Sequence, residues 1–491
     1  MKALTDNRLE IPGKQIPMSQ RHFSRKTSWR RTGPIVAAVA GSLLAGAAFL
    51  VGSSPFSALA IAGLGAAIVF GIGSVRRPSW ALYLAILVTF IPAGLLPNSV
   101  HSLMNRGSVV LALGLWLLDV IARRQRIVWT GALIFMLGFI GWSIVTLLWA
   151  GRASSGIERL AQYATRTILF LLLVTNEIDT RDGVNALMNV LACSAWILVI
   201  AGIFAVMTQG YQTKTGVQVL DTNINNYAVH LLMTMPGVLW QALRTDGSEK
   251  SLLVALSFVF IASAASLVAL GGSRGGSISF IVILLLFWLW KPTQLWGRLG
   301  IVILVVAIAA TPFLFSTLVY RFTASAGGSL GGRVPIWQAT WDLINDHLFV
   351  GVGIGNANEA ILPYLGLLVS IMGRVERSSH SPVLQIWAET GLIGLTLYIG
   401  VLVSAIVTFV RCYLRSRRTN EKYLIRYFAL VSCVCGGALI SWNIGGGMEY
   451  DPSYFLLLAL LLIPANLVPQ AVPDISIDDH TLVGAGTDDD G

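Results

Sequence analysis

The feature that most constrains this chain is a repeat. Apolar blocks of about fifteen to twenty-five residues, separated by short charged segments, run along most of its length. That is the length needed to cross a bilayer rather than to build a soluble core helix. In hydrocarbon every backbone N–H and C=O must find a partner within the protein, so each block reads as a helix. Length alone would allow the 491 residues two or three soluble domains. Composition excludes them. Hydrophobic residues make up 55%, charged residues 12% and mean hydropathy is +0.72, whereas soluble globules carry about 25% charged residues. Glycine recurs inside the blocks, as close packing of membrane helices favours.

Fourteen blocks are legible, near 34–52, 57–74, 79–97, 108–122, 128–149, 164–177, 184–207, 226–243, 251–270, 277–290, 299–319, 384–410, 427–442 and 453–469. The fold class is therefore all-α, a polytopic integral membrane protein with about 12–14 transmembrane helices. Lys and Arg favour the cytoplasmic side. The 1–33 segment holds eight of them. Arg76-Arg77, Arg123-Arg124-Arg126, Lys291 with Arg298, and the 411–426 segment with six Lys/Arg against one Glu follow it. Fourteen crossings put all of these on one side. The predicted organisation is a basic cytoplasmic segment 1–33, a helix bundle 34–319, a periplasmic loop 320–383 containing short helices, closing helices 384–469, and an acidic, disordered cytoplasmic tail 470–491. Ala58-Leu59-Ala60 imitates a signal-peptide cleavage site but lies inside the second block, so the leader is read as uncleaved.

The net charge of +10 does not imply nucleic acid, because the positive residues sit between apolar blocks as topology requires. Cys193, Cys412, Cys433 and Cys435 lie in or beside those blocks and predict no disulfide. No HExxH, Cys/His cluster or Asp pair predicts a metal, and no cofactor is expected.

Two segments fall outside by the same alternation. One is the turn Gly271-Gly272-Ser273-Arg274-Gly275-Gly276. The other is the 320–383 loop, whose length is uncommon for an idle connection. Val334-Pro335-Ile336-Trp337 opens a helix there, with Pro in its first turn. Trp337, Trp341, Ile344 and Leu348 share a face of it at helical spacing. Residues 361–372 are apolar enough to lie on or dip into the membrane. Gly351-Val352-Gly353-Ile354-Gly355 has the look of a nucleotide loop, but no strand precedes it and it reads as a turn.

Candidate chemistry gathers at this face. Arg274 stands between Gly pairs, where backbone and guanidinium can both approach a phosphate; its bland reading is an Arg that snorkels to the interface. Arg333 precedes the loop helix and has an equally plain alternative as a solvated loop Arg, while Arg321, Arg374 and Arg377 share the loop. His380 ends the run Arg377-Ser378-Ser379-His380 just before a span. Nearby Arg would keep its imidazole neutral and able to accept a proton, although a lone loop His is more often inert. The other histidines, at 22, 101, 230, 347 and 480, lack comparable company. Arg159 and Arg166 precede or enter the 164–177 block, a depth at which Arg faces protein or water.

These residues carry a resemblance. His380-Ser381, nine residues, then Gly391-Leu392-Ile393-Gly394 is similar to the signature of the O-antigen ligase/polymerase superfamily of bacterial envelope glycan enzymes. The Ser-Arg-Gly turn at 273–275 and the Gly-Arg-Val-Pro-Ile-Trp run at 332–337, continuing through 349–356, resemble the family's outer Arg turn and the start of its large periplasmic loop. The likeness spans about 270–400 and is topological elsewhere; the family has about twelve spans, two fewer than are read here.

The resemblance implies glycosyl transfer at the periplasmic face of the bacterial inner membrane. The donor would be a glycan on undecaprenyl diphosphate. Arg274 and Arg333, with Arg321 and Arg166 as further ligands, would hold the diphosphate, and His380 would take the acceptor's proton. The acceptor would be lipid A core for a ligase, which the signature spacing favours, or another lipid-linked repeat for a polymerase. Two readings from other classes compete: a bicarbonate-type transporter and a scaffold without chemistry. A carrier is expected to show ionisable residues or broken helices near the midplane. Within the blocks the charged residues are few, chiefly Asp119 and Arg166.

Overall fold

The computed structural model describes residues 79–92, 98–124, 126–209, 224–245, 249–314, 333–366, 379, 381–445 and 450–468. All of them belong to the unit Val69–Gly491; the unit Met1–Ile68, and with it the first two predicted blocks and the basic leader, lies outside the described residues. The described chain is helical throughout. Its main helices are α1 (Ser79–Thr89), α2 (Asn98–Arg123), α3 (Gly131–Thr146), α4 (Ala153–Arg166), α5 (Arg181–Gln209), α6 (Ile224–Arg244), α7 (Glu249–Gly271), α8 (Arg274–Leu289), α9 (Gln294–Leu314), α10 (Arg333–Asp346), α11 (Pro382–Arg418), α12 (Lys422–Gly445) and α13 (Pro452–Leu462).

Among these residues five stretches are long and apolar enough to cross a membrane: His101–Ala122, Arg181–Thr208, Glu249–Gly271, Pro382–Arg418 and Lys422–Trp442. A sixth would be the pair Arg274–Leu289 and Lys291–Ile303, were it one span. That pair bends by 115°, which fits two separate helices around the break at Trp290 better than one rod. Ser79–Thr89, Gly131–Thr146 and Pro452–Leu467 are shorter apolar helices. Large apolar side chains stand exposed along the bundle, among them Leu148, Ile200, Met207, Leu289, Val403 and Val410. On a soluble protein such a surface would aggregate; here it is what lipid covers. The chain is an all-α multi-pass membrane protein.

Local chemistry sets the helix ends. Thr130, Ser273 and Asp451 accept from the backbone N–H of Leu133, Gly276 and Ser453, so each caps its helix. Pro382 and Pro452 open α11 and α13, where a missing N–H costs nothing. α11 ends on Arg415, Arg417 and Arg418, the charge its terminal carbonyls favour. The 164–177 block is continuous helix with a departure from α geometry: Thr167–Val174 is wound as a π-helix directly after Arg166. Such widenings are rare and recur at functional sites.

Contacts sort the loops into two ends, as alternating crossings require. At one end Arg181 pairs with Glu421, Arg426 donates to the Leu243 carbonyl (2.8 Å), and Asn176 accepts from Val128 N (2.7 Å). At the other end, Trp149 donates to the Gly351 carbonyl (3.0 Å), Arg152 pairs with Glu359, and Ser273 meets Asn225 (2.8 Å). The second end carries a cap formed by α10 and the short helices Ala357–Ala360 and Leu362–Leu365.

Of the α10 face marked by helical spacing, Ile344 is buried in the cap and Leu348 packs against it, while Trp341 stands outside. Ile336, Ala339, Leu343 and Ile344 pack with Ala357, Ile361, Leu365 and Ala388, whereas Trp341 is 47% exposed. Helical spacing sets which residues share a face but not which face is covered. The partner surface accepts branched and small side chains, and leaves the indoles at the edge. Ile361 and Leu365 are held inside this protein cluster rather than offered to lipid, and 367–372 lie outside the described residues.

Candidate functional site at the capped end

The Gly351–Asn356 turn is a structural clamp. Val352 N and Gly353 N donate to the carbonyls of Ala388 and Glu389 (both 2.9 Å), and Leu392 N donates to Leu348 O (2.9 Å). A continuous helix has no carbonyls to spare for this. α11 supplies them because Gly391 takes φ +66°, interrupting its own ladder. A Cβ at Gly391 would strike the Phe349 carbonyl, and one at Gly351 (φ +68°) the Glu389–Thr390 peptide. Only glycine allows both the angle and the approach. Trp142 donates to Thr390 O (2.8 Å) and Ile354 N to Thr146 Oγ1 (3.0 Å), which fasten the clamp to α3. The Glu389 carboxylate, 1% exposed, accepts from Gly355 N (2.9 Å) and Gln385 Nε2 (2.7 Å). The turn reading of 351–355 therefore holds, and its glycines serve packing.

The clamp fixes the start of α11, which follows position 380. His380 itself lies outside the described residues, but both neighbours are held. Ser379 Oγ lies 3.1 Å from Gln385 Oε1 and 3.0 Å from Ser381 O, and Trp337 Nε1 donates to Ser379 O (2.7 Å). Arg333 is the first residue of α10, one turn before Trp337; only its backbone is described. Arg321 lies outside the described residues.

Arg274 is half-buried at the first position of α8. Its turn is ordered by Ser273, which caps α8 and donates to Asn225 Oδ1 (2.8 Å) at the start of α6. Gly272 takes φ +73° to make the reversal from α7. Arg274 opens α8, so a guanidinium group and a helix N-terminus, each of which favours an anion, belong to the same turn.

A second basic group lies deeper. The Arg159 guanidinium sits over the Tyr450 ring at 4.0 Å, and that of Arg166 is 5.9 Å from the same ring. Arg166 Nη1 donates to Gln162 O (3.0 Å), but its buried Nε has no hydrogen-bond partner among the described residues. Nor do the buried Gln162 Oε1, Tyr163 Oη and Thr167 Oγ1 close by. Buried polar atoms without partners are rare enough to require a reason, such as an incoming ligand or water. Next to Tyr450, Asp451 approaches His230 Nε2 to 3.3 Å while capping α13. Burial pushes the Asp451 carboxyl up, yet His230 and the Ser453 hydrogen bonds outweigh it and hold it below the usual carboxylate range. Burial likewise opposes the charge on Arg159, and the Glu389 carboxylate with Tyr450 and Tyr163 overcomes it.

The pieces connect. Glu389 acts on Arg159, Arg159 covers Tyr450, Asp451 pairs with His230, and α6 leads back to Asn225, Ser273 and Arg274. Of the five residues singled out, the structure describes Arg274 and Arg166 at this end, and Arg333 by its backbone. The sequence reading missed His230, Asp451 and Glu389. The Asp451-Pro452 pair was a legible helix start, and His230 lies just inside a span at the same face, but nothing local says that they meet.

Fold and site define a multi-pass membrane protein with a polar, Arg-bearing end beneath a helical cap. Residues 257–399 match the family model described as O-Antigen ligase, and the likeness read over about 270–400 is to that family. No protein of curated function matches the chain. A solved structure titled "Structural coordination of polymerization and crosslinking by a peptidoglycan synthase complex" aligns over 69% of this chain and 98% of its own, at 14% identity and a TM-score of 0.36.

Proposed function

We propose that the chain is a metal-independent glycosyltransferase of the bacterial inner membrane, active at its periplasmic face. It would move a glycan from undecaprenyl diphosphate to a hydroxyl of lipid A core. The acceptor oxygen attacks the anomeric carbon as the bond from that carbon to the phosphate oxygen breaks. The acceptor's proton passes to the His380 imidazole, and the charge left on the lipid diphosphate is met by Arg274, Arg333, Arg321 and Arg166. The lipid diphosphate already activates the sugar, so no nucleotide is required.

One observation carries this reading. The Arg274 turn and the half-buried Arg159–Arg166–Tyr450–Asp451–His230 group share one end of the bundle, and the segment that matches the family model supplies that turn and the start of α11. At that end α10 and α11 pin the residues flanking His380. A substrate with a lipid tail and a water-soluble head needs such a polar end on an apolar body. Arg166, whose Nε has no partner among the described residues and which stands beside a π-helix, suits an arriving anion.

The test is incubation of the purified protein with lipid-linked glycan and candidate acceptors, with products separated by size. Glycan joined to lipid A core supports the proposal, and no transfer to any acceptor overturns it. Elongated lipid-linked chains would instead identify a polymerase. Gene deletion separates the same two cases, since loss of a ligase leaves long unattached chains and loss of a polymerase leaves single repeats.

A further inference from the structure

α10 buries one face in the cap and turns another toward α11, where a groove of about 380 Å³ is lined by Val334, Trp337, Gln338, Trp341, Asp342 and Leu384. Its apolar wall includes two indoles. Trp341 is exposed and stands edge-on to Trp387 with centroids 5.5 Å apart, and Trp337 is half-buried. Gln338 and Asp342 are exposed and four residues apart, so they share a side of α10. The groove adjoins Ser379, because the Trp337 indole that lines it also holds the Ser379 carbonyl at 2.7 Å.

We propose that this groove is a sugar subsite that holds a neutral pyranose of the glycan substrate against Trp337 and Trp341, with Asp342 and Gln338 bonding its hydroxyls. The proposal rests on the glycosyl-transfer reading. A pyranose has an apolar C–H face and a hydroxyl rim. The electron-rich face of an indole attracts the C–H face, and dispersion over the ring adds to it. A carboxylate accepts hydroxyl hydrogens in strong, charge-assisted bonds.

Charge argues against the two simpler occupants. Aromatic faces that anchor in a bilayer avoid carboxylates, which are costly near hydrocarbon. Residues 334–366 contain Asp342, Asp346 and Glu359 and no Lys or Arg. Glu359 is paired with Arg152 and Arg333 opens α10, so the charge that matters is local: Asp342 is the charged side chain of the groove wall, which disfavours an anionic group there and leaves a neutral, hydroxyl-rich ring as the ligand it fits.

Either the acceptor or the donor glycan could present that ring. The full-length protein in detergent is titrated calorimetrically with two soluble probes: deacylated core oligosaccharide, and neutral oligosaccharide released by mild acid from the surface polysaccharide. Saturable binding of one of them is expected and names the source. Trp341→Ala should weaken it at least tenfold and Asp342→Asn at least threefold, with the thermal midpoint unchanged. The inference is overturned if neither probe binds, or if Trp341→Ala binds normally. It is also overturned if brominated lipid in reconstituted vesicles quenches fluorescence that Trp341→Ala removes, which would make Trp341 a membrane anchor. Heat of binding needs no turnover, so failure here leaves the transfer reaction standing, and failure of transfer leaves a measured subsite standing.

Discussion

His230 and Asp451 approach to 3.3 Å at the capped end of the bundle, although α6 and α13 are far apart in the chain. Asp451 also caps α13, so a single carboxylate ties the last helix both to its own first turn and to α6. Removing one member of a buried pair strands the other, at about 3–5 kcal/mol. Asp451→Ala should therefore lower the thermal midpoint of the purified protein sharply. The loss should be smaller in a His230→Leu background, as a double-mutant cycle would show. The pH dependence has a definite sign. The folded carboxyl lies below its unfolded value, so its contribution is complete above that unfolded value and drains as pH falls through the folded one. The difference in midpoint between the native protein and Asp451→Asn should be flat near neutrality and shrink in acid. A difference that grows in acid would refute the assignment.

Gly391 combines φ +66° with a Cβ position occupied by the Phe349 carbonyl. Left-handed strain alone costs about 1–3 kcal/mol. Gly391→Ala should destabilise by at least that, and should expose the 347–356 clamp to limited proteolysis. Gly366→Ala is the comparison. It shares a positive φ (+53°) but its Cβ would meet nothing within 4 Å among the described residues, so it should cost less and leave the clamp protected.

Under the proposed reaction Arg274 and Arg166 would hold the anion. Removing a single preorganised charge donor costs about 10²–10³ in turnover. Arg274→Ala should lose that much kcat/KM for the lipid-linked donor. Arg274→Lys should recover only part of it, because an ammonium lacks the planar fork that meets two phosphate oxygens. Full recovery with Lys would reduce Arg274 to a point charge, and unchanged transfer in Arg274→Ala would remove it from the site.

His380→Ala, with expression and thermal midpoint preserved, should lower transfer by about 10²–10⁴, the usual worth of a positioned base. Radiolabelled donor and thin-layer separation of products would measure it. Activity equal to that of the native protein would assign the proton to another group, and His230 would be the next to test.

Much of this was legible in advance. Block length and the distribution of Lys and Arg give an all-α membrane bundle with alternating ends, because bilayer thickness and charge act on local sequence. Capping residues such as Ser273 and Pro382 mark helix starts for the same reason: the backbone they serve is their own. The Gly-x-x-Gly at 391–394 could be recognised as a pattern, yet its physical purpose could not. The carbonyls that Gly391 releases are taken by Val352 and Gly353, from another part of the chain.

By itself, then, the sequence determined that the described apolar segments are helices and which residues cap several of them, since each of these is decided within one or two turns. The tertiary structure alone decided which face of α10 is buried, that His230 finds a carboxylate, and that Arg159 and Arg166 lie near one tyrosine ring. Those outcomes depend on the rotation and depth at which separate helices pack, and no local run of residues encodes a distance between two helices.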